Sequence, residues 1–376
     1  MTKILIVGGG VAGLTAAAAL AQRNVDCEVI ELAGDALGAA ITITGRALDA
    51  LDSIGARTLC AAEGIIDPLP QGSGRSSSDL RNSARPADDT AVGLAPTGMK
   101  AIGLYRPVLS RILLSCAASY GARVRVGVGI KALDQDTTGV TARFTDGTDG
   151  RYDLVVGADG IRSTVRALIF GDAIQPVYAG QCNVRWMTPG EPIPALAGIY
   201  FAPWGKLLSY PLPHQKLVYA ITVFGRDAPD YVDQEAARAL VLEQLSVFAE
   251  PGMRALRARL TADLAMIHRP FEWLMVPPPW HRGRIVLIGD AAHATTAHMS
   301  AGGGMAIEDA VVLAETLTAA ASVTEALVVF MRRRFERVRM VVETSVDLAR
   351  METDGVSPEV MLAHSAQAFA TLAETY

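Results

Sequence analysis

Short apolar runs at 3–7 and 26–31 flank a stretch at 12–22 whose small apolar residues suit a helix. This predicts a strand, a helix and a second strand within about 30 residues. A helical pattern follows over 46–54. Residues 70–98, rich in Gly, Ser, Arg, Asp and Pro without periodicity, read as a loop or irregular excursion. Helical spacing returns from Pro107 to Tyr120. Strands are expected at 124–128, 130–134, 140–144 and, after the turn Asp146-Gly147, at 154–158. From 177 to 225 apolar and polar residues alternate between Pro and Gly breaks, as in an antiparallel sheet. A helix is expected at 233–248, a buried strand at 284–288, and helices from Ala306 to the end. No internal repeat is visible.

The strands at 3–7, 26–31, 154–158 and 284–288 are expected to share one parallel sheet. The alternating region between the last two would be an inserted antiparallel layer. The fold class is therefore α/β, with domains discontinuous in sequence.

Composition narrows the function. Half of the 376 residues are hydrophobic and 19% are charged, which suits a sizeable globular core. A net charge of −5 gives no basic footprint for nucleic acid or an anionic membrane. The one dense basic run, Arg332-Arg333-Arg334 with Arg337 and Arg339, reads as a solvated helix face. Cys27, Cys60, Cys116 and Cys182 form no CxxC pair, so reduced thiols and no metal site are expected. No long uninterrupted apolar stretch suggests a membrane span. The N-terminal apolar run, broken by three glycines and lacking a cleavage loop, is not a signal peptide, so a cytoplasmic protein is expected.

Chemistry begins at Gly8-Gly9-Gly10-Val11-Ala12-Gly13, a GxGxxG sequence directly after a strand and before a helix. Gly8 permits the tight turn, Gly10 lets the backbone approach a pyrophosphate, and Gly13 lets helix and strand pack closely. The helix N-terminus, with Val11 and Ala12 in its first turn, turns free N–H groups toward an anion. Glu31 closes the second strand where its carboxylate can accept both ribose hydroxyls. It suits FAD or NAD and repels the 2′-phosphate of NADPH. A second match, Gly127-Val128-Gly129 with Ala132, has no helix after it and is discarded.

Two further strand ends carry candidate polar residues. In Asp153-Leu-Val-Val-Gly-Ala-Asp159-Gly160-Ile-Arg-Ser163, a buried strand runs into an Asp-Gly turn, and Asp159 can be a structural cap. In Gly289-Asp290-Ala-Ala-His293, Asp290 can accept from a ribityl hydroxyl. The N–H groups around Gly302, Gly303 and Gly304 can meet a flavin carbonyl.

Together, GGGVAG with Glu31, VVGADGIRSTVR at 155–166 and RIVLIGDAAHATTAH at 284–298 resemble, in order and spacing, the single-component FAD-dependent aromatic hydroxylases. The similarity spans nearly the whole chain. It includes Arg106, where the family places an arginine near the flavin, and the helix Phe330-Met-Arg-Arg-Arg-Phe-Glu-Arg-Val-Arg. It implies a Rossmann-like FAD-binding domain with an inserted antiparallel β-sheet substrate domain and C-terminal helices. The FAD-binding parts would be 1–70, 106–170 and 276–325, the excursion 71–105, the substrate sheet 171–275 and the terminal helices 326–376. Cofactor contacts are expected from Gly8, Gly10, Val11, Ala12, Gly13, Glu31, Arg46, Arg106, Asp159, Asp290 and Gly302–Gly304. The chain departs from the family at Ala297, where a Pro is usual, and at Ser300-Ala301-Gly302, where Gly-Gln-Gly is usual.

The resemblance implies a flavin monooxygenase that uses NADH or NADPH as transient electron donor. Reduced flavin and O2 form a C4a-hydroperoxide that hydroxylates an aromatic or electron-rich small molecule. The cofactor carries the chemistry, and Arg106 near the ring is the candidate catalytic residue. Candidate substrate contacts on the alternating strands are Arg185, Trp186, Tyr200, Tyr210, His214 and Tyr219, while His293 and His298 read as structural histidines. Two other readings stay open: an FAD-dependent oxidase, dehydrogenase or reductase without oxygen insertion, and a flavin-bound ligand-binding protein without turnover. A flavin halogenase lacks its expected Trp-x-Trp-x-Ile-Pro segment here.

Overall fold

The structure, a computed structural model, describes residues 2–34, 39–67, 75–76, 100–193 and 196–376. Its central sheet holds Lys3–Val7 flanked by Leu154–Gly157 and Asp26–Glu31, with Ile285–Leu287 and then His281–Arg282 beyond the former, and Arg123–Val126 beyond the latter. All pairs are parallel except the short His281–Arg282 strand. The four strands expected to share a sheet do so. Arg123–Val126 joins them unannounced: as the edge strand it is only partly covered, so it lacks the apolar run that marks its neighbours.

Helix Val11–Gln22 is buried from Val11 to Ala21. Its run of alanines lets it lie between the sheet and the helices Arg106–Ser119 and Gly302–Ala319. The terminal helices begin at Gly302, four residues before the expected Ala306, because the three glycines are helical.

The inserted layer is a sheet ordered Met266–Trp273, Val177–Pro189, Leu217–Gly225, Gly205–Leu212 and Gly198–Ala202, antiparallel throughout, with Arg75–Ser76 added in parallel at its edge. The rest of the expected 70–98 excursion lies outside the described residues. One face of this sheet packs on helices Gln234–Leu245 and Pro251–Ala258 through Val184, Trp186, Ala220 and Phe224. The opposite face carries Tyr210, Tyr219, Ile221 and Phe271. It meets a small sheet of Ala40–Thr44, Ala101–Tyr105 and Ile65–Ile66. No helix of the described residues is long and apolar enough to cross a membrane.

The basic run is corrected in part. Arg332 and Arg339 are exposed, but Arg334 is fully buried and Arg337 nearly so. Three apart on helix Val323–Thr353, they share its inner face. There Arg334 donates to Glu308 and Asp309 at 2.7 and 2.8 Å, and Arg337 donates to Glu308 at 2.9 Å. Asp309 also holds His293 and accepts from the Gly289 N–H at 3.0 Å. Burial alone would raise the Asp309 pKa, yet His293 and Arg334 hold it below its ordinary value. His293 is thus tied into the core by ions.

A second buried cluster pins the same helix further along. Lys206, on the antiparallel sheet, pairs with Glu352, and His298 Nε2 approaches the same carboxylate at 3.4 Å. Against the upward push of burial, Lys206 and His298 bring Glu352 down to about 2.

Two tests follow from this cluster. Lys206→Met strands a buried carboxylate and should cost about 3–5 kcal/mol of stability in denaturant unfolding, most of it recovered by adding Glu352→Leu. Equal losses in the single and double variants would contradict this. Because the folded pKa of Glu352 lies below its ordinary 4.5, its contribution is present above that value and fades as pH falls toward about 2. Wild-type stability should therefore drop more steeply between about pH 5 and 2 than that of the Lys206→Met/Glu352→Leu double variant.

Candidate cofactor and substrate site

The first strand ends in a turn that only glycine can make. Gly8 has φ +110° and donates its N–H to Ile30 O at 2.8 Å. A Cβ there would lie 2.4 Å from Ala158 O. At Gly13 a Cβ would lie 1.9 Å from Gly8 O, so the helix could not dock on the strand. At Gly10, by contrast, a Cβ would meet nothing within 4 Å. That open side is where the N-terminus of helix Val11–Gln22 points, and Gly10, its N-cap, offers no side chain to satisfy the first-turn N–H groups. The result is an anion cradle with space above it.

Glu31 borders this cradle. Its Oε2 accepts from the Gly9 N–H at 2.5 Å and its Oε1 from the Ala33 N–H at 2.8 Å, which fixes the carboxylate beside the open glycine. Leu32, 68% exposed, and Val126, 63% exposed, lie next to it across the paired strands Asp26–Glu31 and Arg123–Val126. This apolar shelf escaped sequence reading because it forms only when the edge strand pairs. Gly127 and Val128, of the discarded second glycine match, donate their N–H groups to Glu31 O and precede a strand, not a helix.

The Asp159 carboxyl is engaged locally. It accepts from Ser163 Oγ at 2.5 Å and from the Val165 N–H at 3.0 Å. Burial raises its pKa against these hydrogen bonds. From the same turn, Arg166 donates to Ala291 O at 3.1 Å, and Arg162 reaches Glu272 of the antiparallel sheet at 2.7 Å. Asp159 caps the turn, and the two arginines tie that turn to the 289–293 segment and to the inserted sheet.

Asp290 has solvent-reachable surface, yet it is sunk deeply enough among protein atoms that desolvation raises its pKa, against the charges of Arg106 and His293. Arg106, first residue of helix Arg106–Ser119, is exposed on the same side. The three glycines after Ala301 are needed for packing. A Cβ at Gly303 would come 2.7 Å from Ile41 Cδ1, and one at Gly304 3.1 Å from Ala47 Cβ. Helix Gly302–Ala319 therefore starts hard against the small sheet, with no side-chain cap on its first turn. Arg46 turns elsewhere: its guanidinium donates to Ala373 O at 3.0 Å and to Asp49 at 2.9 Å, which ties it to the C-terminal helix.

Of the substrate candidates, Arg185, Tyr210 and Tyr219 come together on one face of the antiparallel sheet. The tyrosine rings lie 5.2 Å apart. Arg185 Nε donates to Asn183 Oδ1 at 2.8 Å and forms no ion pair among the described residues. Burial pulls its pKa down, helped by Arg106 and Arg269 and opposed by Tyr219. Burial also raises both tyrosines, with Arg185 working the other way on Tyr219.

Three other candidates are not in this group. Tyr200 and Trp186 point through the sheet to the opposite core, where Tyr200 packs edge-on against Phe248. His214 sits exposed in the turn Pro213–Gln215. The side-chain period of two explains both inversions: Trp186 is one step from Arg185, and Tyr200 lies on the face of Leu207. Arg269 and Phe271, missed from the sequence, reach the Arg185 face because Asn183 pairs with Arg269. The alternation Ile267, Arg269, Phe271 was the available sign. Thr42 is also there, hydrogen-bonded to Tyr210.

A family model described as an FAD binding domain matches residues 1–181 and 257–345. The chain is 29% identical over 355 residues to 3-amino-4-hydroxybenzoate 2-monooxygenase of Streptomyces cremeus, covering 90% of this chain and 83% of that protein. It is 31% identical over 353 residues to an FAD-dependent urate hydroxylase of Klebsiella pneumoniae, covering 90% and 87%. Among solved structures, Klebsiella pneumoniae HpxO complexed with FAD and uric acid superposes with a TM-score of 0.78 at 24% identity, over 100% of this chain and 93% of that one. The chain thus carries an FAD-binding domain and belongs to the FAD-dependent monooxygenases of the aromatic-hydroxylase type.

Proposed function

We propose that this monooxygenase uses NAD(P)H and O2 to hydroxylate a small aromatic or similarly electron-rich molecule that carries a negative charge. The carrying observation is Arg185, sunk among the sheet's side chains beside two further guanidinium groups and without a carboxylate partner among the described residues. A desolvated cation of this kind is costly unless a ligand supplies the counter-charge. Both 3-amino-4-hydroxybenzoate and urate, named for two relatives, are acidic molecules.

Gly8, Gly10 and Gly13, with the first-turn N–H groups of Val11 and Ala12, would hold the pyrophosphate, and Glu31 the ribose. Leu32 and Val126 offer the apolar shelf for the adenine. Asp290 suits the ribityl chain, and the first turn of helix Gly302–Ala319 the flavin carbonyls. When bound, FAD supplies the electron transfer from NAD(P)H and the activation of O2.

This chain's own residues bind, orient and exclude water. Arg185 and Arg269 would anchor the anion. Tyr210 and Tyr219 flank a flat ring, their phenols kept protonated by burial. Arg106 stands between Asp290 and Arg185 electrostatically, so it faces both the cofactor side and the substrate side. Asp159 and Arg166 are positioning residues for the 289–293 turn.

FAD retention tests the cradle. Gly10→Ala, whose Cβ meets no protein atom within 4 Å, should give a folded but colourless protein, and Glu31→Gln should weaken FAD binding about tenfold, the worth of one lost charged hydrogen bond. Unchanged flavin content in both would refute the assignment. The substrate reading is tested by NAD(P)H consumption with a panel of phenolic and heteroaromatic acids and their neutral amides, with product mass read under labelled O2. An acid should accelerate consumption and gain one labelled oxygen atom. Arg185→Met should raise its KM about 10–100-fold with FAD content unchanged. Stimulation by the amides alone, or product without label, would overturn it.

A further inference from the structure

The face of the antiparallel sheet opposite Arg185 holds a second group of chemically active side chains. Cys182 and His268 lie on the adjacent strands Val177–Pro189 and Met266–Trp273, both buried, with Asp230 leaning over them from the connection after Leu217–Gly225. Cys182 Sγ is 3.4 Å from Asp230 Oδ1, and His268 Nε2 is 3.6 Å from the same oxygen. One ligand atom from each lies within 4.8 Å of the others.

Hydrogen bonding does not account for this arrangement. Neither ring nitrogen of His268 has a hydrogen-bond partner among the described residues, although the residue is 3% exposed. A buried imidazole left unpaired costs about 1–3 kcal/mol. The Cys182 thiol donates to Asp230 Oδ1 at 3.4 Å, so the one hydrogen bond between the three groups leaves the imidazole without a partner.

We propose that Cys182, Asp230 and His268 form a binding site for a single zinc ion. A tetrahedral zinc with a sulfur ligand at about 2.3 Å and nitrogen or oxygen ligands at about 2.0–2.1 Å separates sulfur from oxygen by about 3.5 Å and nitrogen from oxygen by about 3.4 Å. The two measured separations match these edges. Thiolate, carboxylate and neutral imidazole together carry two negative charges and cancel the ion's charge. With three protein ligands, the fourth position is left to water. Tyr178 Oη lies 3.6 Å from Cys182 Sγ.

Second contacts orient the ligands. Asp230 Oδ2 faces Arg226 Nε at 3.7 Å, which leaves Oδ1 for the ion, and Tyr178 Oη donates to Arg226 O at 3.0 Å. The His268 ring lies tilted at 31° against Phe224, with centroids 6.2 Å apart. On binding, the ion would displace the Cys182 thiol proton to solvent and fasten the segment around Asp230 to the sheet. No electron transfer is involved. Cys182 neighbours Asn183, which orients Arg185 on the other face, so the site and the substrate anchor share one strand.

The FAD-loaded protein, stripped with chelator and dialysed, is titrated with Zn2+ against a chromophoric chelator, and separately with Co2+ read by absorption. One ion per chain and a thiolate-to-cobalt charge-transfer band are expected. Cys182→Ser should abolish the band, and His268→Gln and Asp230→Asn should each weaken zinc binding at least about tenfold. Cys60→Ser serves as control and should change nothing. Circular dichroism and flavin content check each variant's fold, and Asp230→Asn, in the half-exposed connection, stays informative where a sheet variant fails to fold. Absence of stoichiometric uptake, uptake that survives Cys182→Ser, or uptake lost in Cys60→Ser would overturn the site.

Discussion

The contact between Gly13 and the carbonyl of Gly8 is the constraint on which the cofactor site depends. With less than 2 Å between that oxygen and any Cβ at position 13, the helix can sit on the strand only if both positions lack side chains. That proximity aims the helix N-terminus at the open side of Gly10. It also places the alanine-rich helix flat between the sheet and its two covering helices. One of these begins at Gly302, beside the small sheet, so the same packing brings the far end of a long cofactor into register with its near end. The glycine turn and the start of helix Gly302–Ala319 are set by one close-packed layer.

The antiparallel sheet divides the labour on the substrate side. Past an irregularity in pairing between Tyr178 and Cys182, the strand Val177–Pro189 alternates, so neighbouring residues serve different faces. Asn183, Arg185 and Met187 face the small sheet, while Cys182, Val184 and Trp186 face the two covering helices. The face toward the small sheet keeps Arg185 without an ion pair among the described residues and its two tyrosine rings close. The helix-covered face is mostly apolar, with Thr188 and Thr222 buried in it, and Cys182, Asp230 and His268 meet at one end. A sheet thin enough for adjacent residues to serve opposite faces can hold a ligand site on one side and a fastening on the other.

This division also explains what could be read from the sequence. The cofactor motifs are local: turn, strand end and helix start occupy consecutive residues, and their chemistry is visible before folding. The parallel strands betrayed themselves by apolar runs, except Arg123–Val126, whose edge position leaves its arginines outward. The substrate face is built from pairings of strands up to 86 residues apart, such as Asn183 with Arg269. A list of aromatic and polar residues from that region therefore mixes both faces. Arg185, Tyr210 and Tyr219 lie on the face toward the small sheet, Tyr200 and Trp186 on the helix-covered one. The closeness of Cys182 to His268 was hidden for the same reason, because paired strands and not a short CxxC loop bring them together.

The segment after His293 shows how the chain accommodates its departures from the family pattern. Proline is absent at Ala297, so the backbone there is not stiffened by a ring. The turn is held by side chains instead. Thr296 Oγ1 donates to Ser345 O at 2.9 Å, His298 Nδ1 lies 3.0 Å from Thr296 Oγ1, and the other ring nitrogen approaches Glu352. Ser300 takes a left-handed φ of +51°, a conformation a glycine would adopt at lower cost, and its N–H closes on Ala297 O at 3.0 Å. Both anchors, Ser345 and Glu352, lie on the helix that carries Arg334, which grips Asp309 and through it His293. The loop beside the expected flavin ring is thus clamped at both ends to one long helix, and buried charge does the work that proline and glycine do elsewhere in the family.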